Sequence, residues 1–138
     1  MELETLEEVR DFFAKDRFAT ENGAVVEEIG DHYARCSMKL TERHMNAVGA
    51  VMGGVYFTLA DFTFAIASNR QDMGVVSLSS NITYLGAVRG KELIAEAKCV
   101  KEGRTTNFYQ VDIYDELENH VAVVTTTGYR KSTQLGGK

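Results

Sequence analysis

The chain has 138 residues, of which 44% are hydrophobic and 25% charged, and its formal net charge is −5. That length suits one domain able to bury a core without staples, and the composition is that of an ordinary soluble globular protein. An acidic balance, with charges interspersed and no basic run, argues against a nucleic-acid partner.

The opening stretch MELETLEEVRDFF is acidic and lacks the charged-then-apolar order of a signal peptide. Leu3, Leu6, Val9 and Phe13 recur at helical spacing, which predicts a short amphipathic helix within a lead-in over residues 1–18. Ala24 to Ile29 and His32 to Leu40 then read as a strand pair turning at Gly30-Asp31. Gly53 to about Asn69 reads as the one long helix. It is apolar nearly all round, the mark of a helix buried inside the domain. Glycines and polar residues interrupt Met45 to Asn69, so this is not a membrane span.

The rest is strand-like. In Val76 to Tyr84 strict alternation puts Val76, Leu78, Ile82 and Tyr84 on one face and Ser77, Ser79, Asn81 and Thr83 on the other. Leu93 to Val100, Thr105 to Tyr114 and Val121 to Tyr129 follow as hairpins, so the sheet should be antiparallel. The tail 132–138 is polar and glycine-rich and is expected to fray. One long central helix wrapped by a curved antiparallel sheet is an α+β arrangement. A sheet covered on one face still has edges to hide, which favours oligomerisation. Cys36 and Cys99, 63 positions apart, form no metal pair or disulfide framework and fit a reduced, cytoplasmic setting.

Between His44 and Arg70 the only formal charge is Asp61. A lone carboxylate in an apolar setting is costly unless it is paired, bonded or used, and desolvation raises its pKa toward a working value. The plainer reading is that it caps a break in the helix or reaches solvent. Gly54, Thr58, Asp61, Ala65 and Ser68, spaced four, three, four, three, form one stripe of small or polar side chains. Val55, Leu59, Phe62 and Ile66 form a bulky stripe. One face can pack the core while the other lines a groove, or packs closely on another helix. Gly53-Gly54 open the helix, where free amides can stabilise an anion or a developing oxyanion. Gly53 and Asp61 are eight residues apart, roughly 12 Å along a helix. Two groups serving one carbonyl must converge to about 3 Å from it. An antiparallel pair of subunits would bring Gly53 of one copy to Asp61 of the other.

The run NAVGAVMGGVYFTLADFTFAIASN resembles the signature of hotdog-fold acyl-CoA thioesterases of the phenylacetate-degradation type. Asn46, Gly49, Gly53, Gly54 and Asp61 match it. SSNITYLGAVRG and GRTTNFYQVDIYDELENHVAVVTTTGYR extend the resemblance over Ala24 to Lys131. It implies a hotdog fold, dimers that pair into tetramers, and hydrolysis of a small aromatic or medium-chain acyl-CoA with no metal or cofactor. It also implies that Asp61 acts as general base or nucleophile, that the Gly53 amide polarises the carbonyl, and that Asn46 holds the water or the Asp from the partner's side. Ser77 falls where some relatives orient the water, although Ser79 and Thr83 share its predicted face. Met52 departs from the pattern, since relatives carry His there and Met can neither donate nor carry charge. Ala87-Val88 is a smaller departure, at a connection where relatives often have proline.

Gly54 and Thr58 are the expected substrate contacts on the helix. Arg89 and Arg104, with Lys91, Arg130 and Lys131, are candidates for the phosphates of coenzyme A. His44 could stand in for the missing imidazole, while His32 and His120 read as surface residues. The alternative function is a non-catalytic acyl-CoA-binding or sensing module, which Met52 favours. A hotdog dehydratase ranks below both, for want of a placed His.

Overall fold

A computed structural model describes residues 2–131, so the expected fraying of 132–138 lies outside the described residues. The order is α1 (Leu6–Phe13), α2 (Arg17–Glu21), β1 (Ala24–Gly30), β2 (Tyr33–Lys39), a 3-10 turn (Glu42–His44), α3 (Gly53–Asn69), β3 (Val75–Tyr84), β4 (Glu92–Glu102), β5 (Thr106–Asp115) and β6 (His120–Arg130). The strands form one antiparallel sheet in the order β1-β2-β4-β5-β6-β3, and α3 packs across it, chiefly on β2, β4 and β5.

Small inward side chains make the trough for α3. Ala34 pairs with Ala97 and Cys36 with Ala95 across β2 and β4, and all four are buried. Leu59, Phe62 and Ile66 of α3 are buried in the same core. Fully burying a side chain of this size is worth about 1.5–3 kcal/mol. The far end of α3 is tied to β3 by Asn69. Its Oδ1 accepts from the amides of Gly74 and Val75, and its Nδ2 donates to the Val75 carbonyl. At the other end α1 is closed by a capping box between Thr5 and Glu8 and buries Val9 and Phe13.

Three expectations change. First, α2 was not foreseen. Its five residues bury only Ala19, so there is no apolar stripe to read. Second, a β-bulge at Leu78 reverses the alternation of β3. Ser77 pairs with Gly128 and Ser80 with Thr126, so Ser77 shares the inner face with Ile82 and Tyr84, and Ser79, Asn81 and Thr83 face outward. Third, α3 is not enclosed all round. Gly54, Phe57 and Asp61 are exposed and Thr58 and Ala65 half-buried, because the sheet covers only the opposite side. The bulky stripe is buried as expected apart from half-buried Val55, and Ser68 of the small stripe is buried.

Candidate active site

The open face of α3 floors a groove, and α2 walls one side. One stretch of about 530 Å³ is lined by Asp16, Arg17, Phe18, Ala19, Phe57, Thr58, Asp61 and Phe62. A second of about 230 Å³ continues past Phe18 and Thr58 to Met38, His44, Met52, Gly54 and Val55. Asp61 is thus solvent-reachable in a single subunit, not sealed in a core. It nevertheless sits in a concavity crowded with protein atoms. That desolvation holds its carboxyl above the ordinary carboxylate range, and the negative charge of Asp16 pushes the same way. The same crowding raises Asp16.

Thr58 and Gly54 lie on this floor with Asp61, and the Thr58 hydroxyl donates to the Gly54 carbonyl at 2.9 Å. The other expected residues lie outside the groove. Gly53 begins α3 after Met52, whose side chain makes no capping bond, so the first-turn amides are not capped from there. Tyr84 of β3 donates to the Gly53 carbonyl at 2.9 Å, and a Cβ at Gly53 would strike its hydroxyl. Asn46 shapes the loop before the helix, its Oδ1 accepting from the amides of Val48 and Ala50, both at 3.0 Å. Only its Nδ2 is left for a water or a carboxylate. Gly49, at φ 87°, completes that loop in a conformation that side chains resist. Ser77 is exposed beside Gly128 on β3.

Arg89 precedes β4 and Arg104 follows it, so they stand at opposite ends of an 11-residue strand. Roughly 33 Å of strand separates them, too far for both to hold one phosphate cluster within a subunit. Arg17 and Arg43 are the cations bordering the groove. Neither stands out in the sequence, because Arg17 opens a helix too short to carry an apolar stripe and Arg43 lies in a 3-10 turn. Cys36 is buried and its thiol is pushed up to about 12, mainly by desolvation, so it is no nucleophile.

His44 does not replace the missing imidazole. Its Nδ1 accepts from the Thr41 amide at 2.9 Å, which leaves the proton on Nε2 to donate to the Asn22 carbonyl at 2.6 Å. The ring is 4% exposed and latches the 3-10 turn to the end of α2. His44→Ala strands both backbone groups. It is expected to cost about 3 kcal/mol and lower Tm by roughly 10 °C, measurable by calorimetry. An unchanged Tm would refute the latch.

Residues 48–122 match the thioesterase superfamily. The chain is 33% identical over 127 residues to a putative esterase of Archaeoglobus fulgidus, covering 91% of this chain and 82% of that protein. It is 28% identical over 126 residues to the acyl-coenzyme A thioesterase PaaI of Escherichia coli, covering 91% and 87%. The crystal structure of a hypothetical thioesterase with coenzyme A from Streptococcus pneumoniae superposes with a TM-score of 0.80 at 28% identity, covering 88% of this chain and 96% of that one.

Proposed function

Because the chain belongs to the thioesterase superfamily, we propose that it hydrolyses acyl-CoA thioesters with Asp61 as the catalytic carboxylate. The observation that carries this reading is the placement of Asp61. It stands on the open face of α3, in the groove, with its carboxyl raised by its surroundings. The hotdog fold and the acyl-CoA thioesterase relative supply the reaction class.

As general base, Asp61 takes a proton from water as the hydroxide equivalent adds to the thioester carbonyl. The tetrahedral oxyanion collapses, the C–S bond breaks, and the proton passes to the departing thiolate to give free acid and CoA. The oxyanion needs a donor, and Gly53 of the same helix is too far from Asp61 to serve. The Gly53 amide of a second copy fits that need, with Asn46 of that copy beside it.

The sheet edge supports pairing. β3 is an edge strand of ten residues, none of them charged, with Leu78 61% exposed. Such an edge is a template for another chain unless a charge or proline blocks it. Leu78→Lys is expected to turn the oligomer, a dimer or a tetramer, into monomers by light scattering. Turnover should be lost while circular dichroism is kept. A Leu78→Lys monomer with full activity would refute the shared site. A reduced, cytoplasmic setting fits the two free cysteines.

Met52 favours the second reading, a module that binds acyl-CoA without turning it over. Its exposed side chain occupies the place where the signature has an imidazole. A panel of acyl-CoAs with free-thiol detection separates the two. Thiol release supports the enzyme, and tight binding with no release supports the module.

A further inference from the structure

The groove changes character at Phe18. On the Asp61 side Phe57 and Phe62 stand with charged Asp16 and Arg17. Beyond Phe18 it is lined mainly by apolar surface, with Met38, Met52 and Val55 beside Asn22, Arg43 and His44. Phe18 and Thr58 border both stretches, so the two stretches meet at these residues. Thr58 is one turn from Asp61, which puts this junction about 4.5 Å along the helix from the carboxylate. The floor continues to Gly54, roughly 10 Å from Asp61.

Phe18 is an unusual residue to leave in that position. It is 74% exposed, the second most exposed large hydrophobic side chain among the described residues after Val48. The nearby ring of Phe13 packs edge to face with Phe12 and with Phe62, and Phe18 takes no part in that cluster. Its backbone, in contrast, is pinned. Ala19 is buried, and the Thr20 hydroxyl bonds to the carbonyls of Ala14 and Asp16. The Asn22 side chain donates to the Phe18 carbonyl itself at 2.7 Å, and His44 holds the Asn22 carbonyl. A fixed main chain carrying an unpacked aromatic side chain confines motion to the rotamer of one ring. An exposed apolar group beside an apolar groove marks a place where a ligand completes the packing.

We propose that Phe18 sets the acyl-chain length this groove accepts, its ring standing as a partition between the carboxylate end and the methionine-lined end. This rests on the thioesterase reading above. With the carbonyl held at Asp61, a short acyl group ends on the near side of the ring. A longer straight chain reaches the methionine-lined stretch only by swinging the ring aside, and exposed, flexible Met52 then adapts to its tail above buried Met38. Removing the ring opens the far stretch, and enlarging it closes the passage.

The test is kcat/KM of the full chain for straight saturated acyl-CoAs from acetyl to dodecanoyl, comparing wild type, Phe18→Ala and Phe18→Trp. Phe18→Ala should raise the ratio of long-chain to short-chain kcat/KM by about tenfold or more, the scale of a few methylenes in an apolar pocket. Phe18→Trp should lower it. The partition is refuted if both variants scale every chain length alike, or if both move the ratio in the same direction. A wild type that releases no CoA from any member of the series refutes the thioesterase reading and takes the partition with it. An active wild type with an unmoved ratio refutes the partition alone.

Discussion

Asp61→Asn is expected to lower kcat for acyl-CoA hydrolysis by about three orders of magnitude, within the range typical for loss of a positioned general base. The amide keeps the shape of the side chain but can neither take a proton nor attack carbon. Groove contacts remain, so KM should stay within a few-fold, and the loss belongs to the transition state. A variant that keeps a tenth of wild-type kcat would exclude Asp61 as the catalytic group. The pH profile gives a second readout. Activity requires the ionised carboxylate, so kcat/KM should fall as pH drops through the pKa of Asp61. Desolvation, then Asp16, places that pKa above the ordinary range. Arg17 lines the same groove but pairs with Glu21. Asp16→Asn removes a like charge, favours ionised Asp61, and should move the acid limb to lower pH. The raised pKa also means that the folded state binds the proton more tightly than the unfolded chain. Ionised Asp61 therefore opposes folding once pH exceeds that pKa, and Asp61→Asn should melt at or above the wild-type temperature near pH 7.

Asp115→Ala is expected to cost about 4 kcal/mol, close to half the stability of a marginal domain. Asp115 is 1% exposed, just beneath surface loops rather than deep in the core. Its Oδ1 accepts from the amides of Leu117 and Asn119, closing the β5–β6 turn. Its Oδ2 accepts from the amides of Arg89 and Gly90, 25 residues or more away in sequence, and the Asn119 side chain bonds to both oxygens. Burial opposes the charge, but the Asn119 side chain and the amides of Arg89, Asn119 and Gly90 outweigh it and hold the carboxyl well below its usual range. The sign follows from that depression. The stability is fully present above the unfolded carboxylate value near 4 and is lost as pH falls through the lower folded value. Urea titrations at pH 7 and pH 3 should show the gap between wild type and Asp115→Asn narrowing at the lower pH. A gap that stays constant would contradict this account. Glu116 reinforces the same corner by accepting from the amides of Lys91 and Glu92.

Much of the fold was legible because its signals are local. The α3 limits follow from a glycine pair at one end and the loss of apolar residues at the other, and Gly53–Asn69 is where the helix lies. The β1–β2 turn and the last two hairpins were legible from turn residues between alternating runs. Asp61 was legible as the one charge in an uncharged stretch. Other features needed partners distant in the chain. His44 reads as a spare imidazole in the sequence, but the carbonyl of Asn22, 22 residues earlier, occupies its Nε2. Asp115 ends β5 at a turn, and nothing near it in sequence shows that the amides of Arg89 and Gly90 close on it.

The sequence by itself determined the α+β class, the long helix and the antiparallel hairpins, and it singled out Asp61 as an isolated charge, since period, turn chemistry and isolated charge are each written within a few residues. Only the tertiary structure decided that α2 walls the groove, that a bulge separates Ser77 from the face of Ser79 and Thr83, that Arg89 and Arg104 stand at opposite ends of β4, and that Asp61 faces an open groove. The physical reason is range. Local propensity acts over one turn or one pleat, whereas burial, desolvation and hydrogen-bond closure depend on which distant segments come to rest against each other.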